Sequence, residues 1–407
     1  MTNLFEDEFL NQLGTWALGY IPYGGSDFGE VAAVAAAVGD GDEDKFFTEW
    51  LAAGDRHVQE ADEAKTAGHD ETARDQNLRA AVAYGTAYHP FFGSPVDPRL
   101  TATFARQTEA FDKALAMGPD PATKLAIPLE GAEMPGYFIP APGRAGEVRP
   151  LVIFTNGYDA TIVDAFFASA VAAGRRGYHC LIFDGPGQGD TLYNQGVPLR
   201  PDWETVISAV VDSALELPLV DPDAIVLNGW SLGGYLAPRA ASGEHRLAAC
   251  VADPAQWSVG DGFRPLAMKF GATQEQAQDL GGLDQAVIDQ FSEFVESSPK
   301  MIWSIIKRGF WVNGVSNMRE YVADCERYTL DGRVEEIRCP TLVTAAEHDP
   351  IAANSRRVYD ALTCEKHMIE FTGIEGAGDH CEMFNRSLVN TRTFDWLDDV
   401  LGERVRG

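Results

Sequence analysis

The chain carries one serine in a setting where a serine can act as a nucleophile. Residues 229–234 read Gly-Trp-Ser-Leu-Gly-Gly and follow the apolar run 224–227. The pattern predicts a strand, a sharp turn at Ser231 and a helix. Gly229 and Gly233 keep side chains out of the bend, so the hydroxyl is exposed at the positive end of a helix. The spacing also arises by chance in a chain with 40 glycines, so a base, an acid and an oxyanion site must be found elsewhere.

A serine hydroxyl is a weak nucleophile at neutral pH and needs a general base. In a strand–turn–helix arrangement of this kind the base follows the nucleophile in the chain. Four histidines follow Ser231, namely His245, His348, His367 and His380. His380 closes the glycine-rich loop 373–380, beyond the last predicted strand. The sequence therefore predicts His380 as the general base.

The acid that orients the base is expected after the preceding strand, at 341–346. This strand leads into Glu347, His348, Asp349 and Pro350. We favour Asp349 because it lies further into the loop and is constrained by the proline that follows it. Glu347 stays open as the alternative, and His348 is expected at the surface.

Two backbone N–H groups are needed to stabilise the oxyanion that forms when a serine attacks a carbonyl. One is expected from Leu232, directly after the nucleophile. The other is expected from Tyr158, in the loop Asn-Gly-Tyr-Asp at 156–159 that follows the apolar strand 151–155. A plain turn is the alternative interpretation of this loop.

Alternating strands and helices must hold these residues in place. Strands are predicted at 124–129, 136–139, 151–155, 178–183, 224–229, 247–252, 341–346 and 367–371, with a turn at 130–133 in the opening hairpin. Helices are predicted at 163–173, 202–217, 232–241, 354–361 and 385–401. This alternation favours an α/β-hydrolase fold, with a mostly parallel sheet covered by helices on both faces.

Two helical regions accompany this core. Residues 1–122 show helical spacing of apolar side chains, and the core is expected at 123–254 and 339–407. Residues 255–338 interrupt the core with apolar helical stretches, in a position over the carboxyl edge of the sheet. A lid that lines an apolar pocket is the favoured interpretation of this insertion. A separate helical layer or a subunit interface is the alternative.

Charge and composition limit the partners. The formal net charge is -29, which excludes nucleic acid and anionic membranes as partners. Solubility explains the acidity more simply than a cationic substrate does.

The first eight residues do not resemble a signal peptide, and no apolar run is long enough to span a bilayer. Six scattered cysteines are typical of reduced thiols in a cytoplasmic protein, and neither a metal site nor a cofactor is predicted.

Taken together, the motifs resemble those of the α/β-hydrolase superfamily over residues 124–403. The chain is similar in particular to the subgroup that contains 2,6-dihydroxypseudooxynicotine hydrolase, the fungal polyketide-shortening hydrolases and FrsA-like proteins. The matching stretches are 64–83, 97–99, 156–159, 184–189, 229–234 and 375–382. The helical N-terminal stretch and the Gly-Ala-Gly-Asp-His-Cys loop make this resemblance narrower than one to the superfamily.

The resemblance implies a hydrolase with an apolar pocket for an aromatic or polyketide-like small molecule. It favours cleavage of a carbon–carbon bond next to a ketone by Ser231, His380 and Asp349. Ester or amide hydrolysis, direct activation of water by His380, and a non-hydrolytic receptor or cyclase on the same fold stay open. Trp230 and Asp253 are candidate substrate contacts. A homodimer also stays open.

Overall fold

A computed structural model describes residues 3–118 and 120–406. Met1, Thr2 and Pro119, which belong to the predicted N-terminal region, lie outside the described residues, as does Gly407. The described strands are β1 (Thr123–Leu129), β2 (Ala132–Ile139), β3 (Arg149–Thr155), β4 (His179–Phe183), β5 (Val220–Trp230), β6 (Ala249–Asp253), β7 (Thr341–Ala346) and β8 (Lys366–Phe371).

These strands form one eight-stranded sheet in the order β1-β2-β4-β3-β5-β6-β7-β8. β1 pairs antiparallel with β2, and β2 pairs antiparallel with β4. All remaining neighbours are parallel. The carboxyl ends of the parallel strands therefore meet at one edge, where open α/β sheets bind their ligands. The predicted mostly parallel sheet is confirmed.

Most predicted strands lie within a few residues of the observed ones, and β7 has the predicted bounds. β5 starts earlier than predicted because Val220, outside the apolar run, still pairs with Arg149 of β3. The predicted turn at 130–133 is too long. Glu130 and Gly131 alone make the turn, with φ of 45° and 93°, as in the tightest hairpins.

Helices cover both faces of the sheet and follow the predicted alternation. The described helical segments of the core are Ile162–Ala165, Phe166–Ala170, Val171–Arg175, Gly189–Tyr193, Trp203–Leu215, Gly233–Ala241, Pro350–Asn354, Ser355–Ala361, Arg386–Leu401 and Glu403–Arg406. The turn His380–Asn385 is irregular, because two of its residues have non-helical backbone angles.

The N-terminal region and the insertion are helical, as predicted. The N-terminal segments are Glu8–Gly14, Thr15–Tyr23, Phe28–Val38, Glu43–Thr66, Asp70–Tyr88, His89–Phe91 and Pro98–Leu115. Those of the insertion are Gly260–Gly262, Phe263–Lys269, Gln276–Gln278, Gln285–Glu296, Pro299–Met301, Ile302–Gly309, Phe310–Asn313, Met318–Glu326 and Val334–Glu336. Ile302–Gly309 is a π-helical segment between two short α-helical ones.

The two helical regions differ in how they are packed. Buried side chains of the N-terminal region, such as Trp50 and Tyr88, belong to the same hydrophobic core as the sheet. Much of the insertion has a core of its own around Leu280, Phe291 and Val322. The N-terminal region is thus an integral part of the main core, whereas most of the insertion packs on itself.

Candidate active site

Ser231 lies at a sharp turn between β5 and the helix Gly233–Ala241. Its φ is 57°, a left-handed conformation that non-glycine residues rarely adopt. The turn is crowded, because a β-carbon on Gly229 would come within 2.0 Å of the carbonyl oxygen of Gly233. The N–H of Ser231 donates to the carbonyl oxygen of Asp253, at 2.7 Å. The strained serine is therefore held in place by the end of β6.

A chain of hydrogen bonds joins Ser231 to two residues far along the sequence. Ser231 Oγ is 2.9 Å from His380 Nε2. His380 Nδ1 is 2.7 Å from Asp349 Oδ2. If Nδ1–H donates to the carboxylate, Nε2 is left to accept the serine proton. This arrangement can activate a serine hydroxyl for attack on a carbonyl carbon.

The burial of the three residues suits these tasks. The side chain of Asp349 is 1% exposed, whereas that of His380 is 30% exposed, so the imidazole is accessible to a ligand while the carboxylate is shielded from water. Asp349 also accepts a hydrogen bond from the N–H of Ile351, which fixes the orientation of its carboxylate. Shielding strengthens the interaction of the carboxylate with an imidazolium.

The competing residues lie apart from this chain of hydrogen bonds. Glu347 is exposed and accepts a hydrogen bond from the N–H of Gly373 at 2.8 Å. His348 is at the surface as expected, with a side chain 59% exposed. His245 and His367 are exposed as well. The geometry thus brings Asp349, and not Glu347, to His380.

The loop after β3 lies directly against the serine. A β-carbon on Gly157 would come within 2.7 Å of Ser231 Cβ and 3.1 Å of its Oγ, so only glycine fits there without displacing the serine. The N–H groups of Tyr158 and Leu232 donate to no acceptor within 3–118 and 120–406. Two free amides beside the serine are what an oxyanion site requires.

The side chain of Tyr158 is held by the insertion. Its hydroxyl bonds to the side-chain oxygen of Asn313, and the Arg308 guanidinium lies over its ring, 5.0 Å from the centroid. Arg308 also pairs with Asp159 at 2.6 Å. Burial opposes ionisation of Asp159, but Arg308 and then His89 hold its pKa below the usual range. The loop at 156–159 is therefore fastened to the insertion.

Sequence reasoning missed Trp16, which brings the N-terminal region to the site. Its ring centroid lies 6.4 Å from that of His380 and 6.0 Å from that of Trp230. Its Nε1 donates to the hydroxyl of Tyr20, which in turn donates to Asp164. Trp16 is half-buried and so retains surface for a ligand. A lone tryptophan in an N-terminal helical stretch carries no local signal of this proximity.

The two candidate substrate contacts differ in their surroundings. Trp230 is buried, with its Nε1 donating to Asn156 at 3.2 Å. The Asp253 side chain is 5% exposed and forms an ion pair with Arg386 at 3.1 Å. It also accepts a hydrogen bond from Thr344 at 2.7 Å. The expectation of Asp253 as a substrate contact does not fit this burial, because both carboxylate oxygens already have partners.

Cys381 follows the histidine and is buried. Burial, followed by the nearby Asp253 carboxylate, raises the pKa of its thiol well above the usual range, so it stays protonated and unreactive. All six cysteines are free. Within the described part of the chain, no cluster of three or more histidine, cysteine or acidic side chains is arranged to hold a metal ion.

The model of the family described as "Alpha/beta hydrolase family" matches residues 152–390, which include every residue of the hydrogen-bonded chain. The chain belongs to this family. Hydrolase LUC6 of a Fusarium species is 32% identical, over 99% of this chain and 98% of that protein. The 20-hydroxy-prefusarin hydrolase FUS2 of Gibberella moniliformis is 30% identical, over 98% of this chain and 97% of that protein. The protein is an α/β-hydrolase enzyme.

A solved structure shares this fold over almost its full length. The crystal structure of 2,6-dihydroxy-pseudo-oxynicotine hydrolase superimposes with a TM-score of 0.74 at 24% identity, covering 95% of this chain and 96% of that one. The similarity therefore includes the helical N-terminal region as well as the sheet. The predicted fold and the predicted family are both confirmed.

Among the described residues, none of the helices combines the length and the apolar character that crossing a membrane would need.

Proposed function

We propose that Ser231, His380 and Asp349 form a catalytic triad that hydrolyses a carbon–carbon bond next to a ketone in an apolar or aromatic small molecule. The observation that carries the proposal is the hydrogen-bonded chain, with separations of 2.9 Å and 2.7 Å. These distances are those at which a base can take a proton from a serine and an acid can orient that base.

The reaction would begin when Ser231 Oγ attacks the ketone carbon and its proton moves to His380 Nε2. The amides of Tyr158 and Leu232 would stabilise the negative charge on the former carbonyl oxygen. Collapse of this intermediate would break the carbon–carbon bond, and the leaving carbon would take the proton back from His380. Water, activated by the same histidine, would then hydrolyse the acyl–serine ester.

The aromatic side chains near His380 support a conjugated substrate. The Trp16 ring lies 6.4 Å from the His380 ring and 6.0 Å from the Trp230 ring, close to the position from which the leaving group would be protonated. A planar leaving group can pack against an aromatic ring, and a conjugated one can delocalise the developing negative charge. A relative that aligns with 98% of this chain is called a 20-hydroxy-prefusarin hydrolase, which supports a polyketide-like substrate here.

We further propose that the insertion acts as a lid and that its position determines the position of the loop 156–159, which carries the proposed oxyanion amide of Tyr158. Arg308 and Asn313 of the insertion contact Asp159 and Tyr158 of that loop. Movement of the insertion would therefore displace the Tyr158 amide as well as uncover the pocket. Closure would exclude water, which strengthens the electrostatic stabilisation of the oxyanion.

The test compares an aryl β-diketone with an aryl ester. Both substrates carry the same acyl group and differ in their leaving group, and the masses of the products are measured. We expect turnover of the diketone into a carboxylic acid and a methyl ketone, and its loss in Ser231→Ala. Turnover of the ester alone would reassign the enzyme as an esterase. Binding of both compounds without turnover would favour a non-hydrolytic receptor.

A further inference from the structure

Arg386 begins the last long helix, Arg386–Leu401, shortly after the turn that carries His380. It is only 3% exposed. Its Nε donates to the carbonyl oxygen of Ala168 at 3.2 Å, and its Nη2 donates to Ser169 Oγ at 2.9 Å. These two bonds anchor the guanidinium to the helix that follows β3.

The third nitrogen reaches the turn after the histidine. Arg386 Nη1 donates to the carbonyl oxygen of Cys381 at 2.7 Å. Cys381 and Glu382 have φ of 53° and 48°, so two successive non-glycine residues adopt the disfavoured left-handed conformation. Strain of this kind persists only where the surroundings enforce it. Arg386 therefore bonds to a strained turn that begins directly after His380.

The same nitrogen also reaches the residue that holds the nucleophile. Arg386 Nη1 donates to Asp253 Oδ2 at 3.1 Å. The other carboxylate oxygen of Asp253 accepts from Thr344, and its backbone carbonyl accepts from Ser231 N–H. The guanidinium lies 5.7 Å from the ring centroid of Trp230, next to the serine. One side chain thus contacts the neighbours of both the base and the nucleophile.

From this geometry we infer that Arg386 is a positioning residue that fixes the turn of His380 relative to the turn of Ser231. The inference rests on the proposed triad and adds a residue outside it. The role needs the planar guanidinium, whose five N–H donors reach acceptors in several directions at once. A lysine keeps the charge, but its single nitrogen cannot reach the carbonyls of both Ala168 and Cys381 together with Asp253.

The test uses Arg386→Lys and, as a second variant, Asp253→Asn, which keeps the shape of the side chain but weakens the ion pair. Arg176→Lys is the control, because Arg176 bonds to Asp395 and Asp398 on the outer side of the same helix. Each variant is assayed with an aryl ester for kcat and KM, and with a fluorophosphonate for the rate of Ser231 labelling. Circular dichroism confirms folding at the assay temperature.

We expect Arg386→Lys to lower kcat and the labelling rate together, by ~10- to 100-fold, with KM changed less than about 2-fold, since the misplacement affects only the reacting groups. Asp253→Asn should also lower kcat and the labelling rate. If Arg386→Lys does not fold, the result for Asp253→Asn tests the inference in its place. If Arg386→Lys or Asp253→Asn is folded and has a lowered Tm, but keeps the wild-type kcat and the wild-type rate of Ser231 labelling, the inference about Arg386 is wrong. The proposed function would not be affected by that result. Turnover that survives Ser231→Ala would instead overturn the proposed function.

Discussion

Ser231 Oγ and His380 Nε2 lie 2.9 Å apart, although 149 positions separate the two residues in the chain. The sheet makes this contact: β5 delivers the serine, and the loop beyond β8 delivers the histidine to the same edge. Both residues are only partly buried. The contact is thus a feature of the site rather than of the core.

The first prediction concerns these two residues. Ser231→Ala and His380→Ala should each lower kcat by at least ~10³-fold, because the nucleophile and its base act as a unit. The Tm of each variant should stay within a few degrees of the wild type, about the effect of 1 kcal/mol or less. Steady-state kinetics and thermal unfolding measure the two effects. Residual turnover near the wild-type level in His380→Ala would show that another group is the base.

The second prediction separates the two acids. Asp349→Asn should lower kcat by ~10³- to 10⁴-fold, because the amide favours the wrong histidine tautomer. Glu347→Gln should change kcat by less than about 3-fold, since Glu347 is exposed and its carboxylate contacts a loop amide and His348 at the surface. The two variants are compared under the same assay. The reverse order of effects would move the acid to Glu347.

The third prediction tests the loop 156–159, which carries the proposed oxyanion amide of Tyr158. Gly157→Ala should lower kcat by at least ~10²-fold, because the new methyl group would displace Ser231 from its position. Gly146→Ala is the matched control, since nothing lies within 4 Å of a β-carbon at that position. The control should retain wild-type kcat and Tm. An active, folded Gly157→Ala would mean that this loop is not packed against the serine.

The fourth prediction concerns Trp16, whose ring lies near His380. Trp16→Ala should raise KM for aryl substrates by ~10-fold and change KM for short aliphatic esters much less, because the loss is of ring contact area. Trp396→Ala, on the last long helix, is the control and should leave the ratio of the two KM values unchanged. Equal effects on aryl and aliphatic substrates would exclude Trp16 from the substrate pocket.

The fifth prediction follows from Glu382, which is buried beside Asp253. Burial, and next the Asp253 carboxylate, raise the pKa of Glu382 well above its ordinary value of 4.5. The native state keeps this proton where the unfolded chain loses it, so its contribution to stability is full below pH 4.5 and falls as the pH rises towards the native pKa. Glu382→Gln stays neutral and escapes this loss.

Relative to the wild type, the free energy of unfolding of Glu382→Gln should therefore increase as the pH rises above 4.5, as measured by urea titration. Glu375→Gln is the control, because the pKa of Glu375 is shifted in the opposite direction from that of Glu382. Arg392 is the main cause that lowers the pKa of Glu375 to about 2, so the wild type should lose its advantage over this variant only as the pH falls below 4.5. A constant difference between Glu382→Gln and the wild type would refute the buried neutral carboxyl.

The sequence predicted the sheet well because its strands are continuous apolar runs bounded by turn residues. The observed bounds of β7 are those predicted. The helix Gly233–Ala241 begins one residue later than predicted and ends at the predicted residue. The residues brought together at the sheet edge could also be predicted, since the order of nucleophile, acid and base follows the order of the strands. Local pattern and chain order carry that information.

The surroundings of the site could not be predicted in the same way. Trp16 and Arg386 reach it through contacts across the chain, and neither stands in a motif. The sequence makes Asp253 a candidate substrate contact because it lies close to the insertion, where an acidic side chain can bind a cationic substrate. Its partner Arg386 is far away in sequence, so nothing local indicated that the carboxylate would be buried in an ion pair.

The central claim is that Ser231 is a nucleophile activated by His380 and oriented through Asp349. The most direct measurement is the intact mass of the protein after treatment with a fluorophosphonate, followed by mapping of the modified peptide. We expect one adduct per chain, on Ser231, and its absence in Ser231→Ala and His380→Ala. An unmodified wild-type protein that is folded, or an adduct on another residue, would contradict the account.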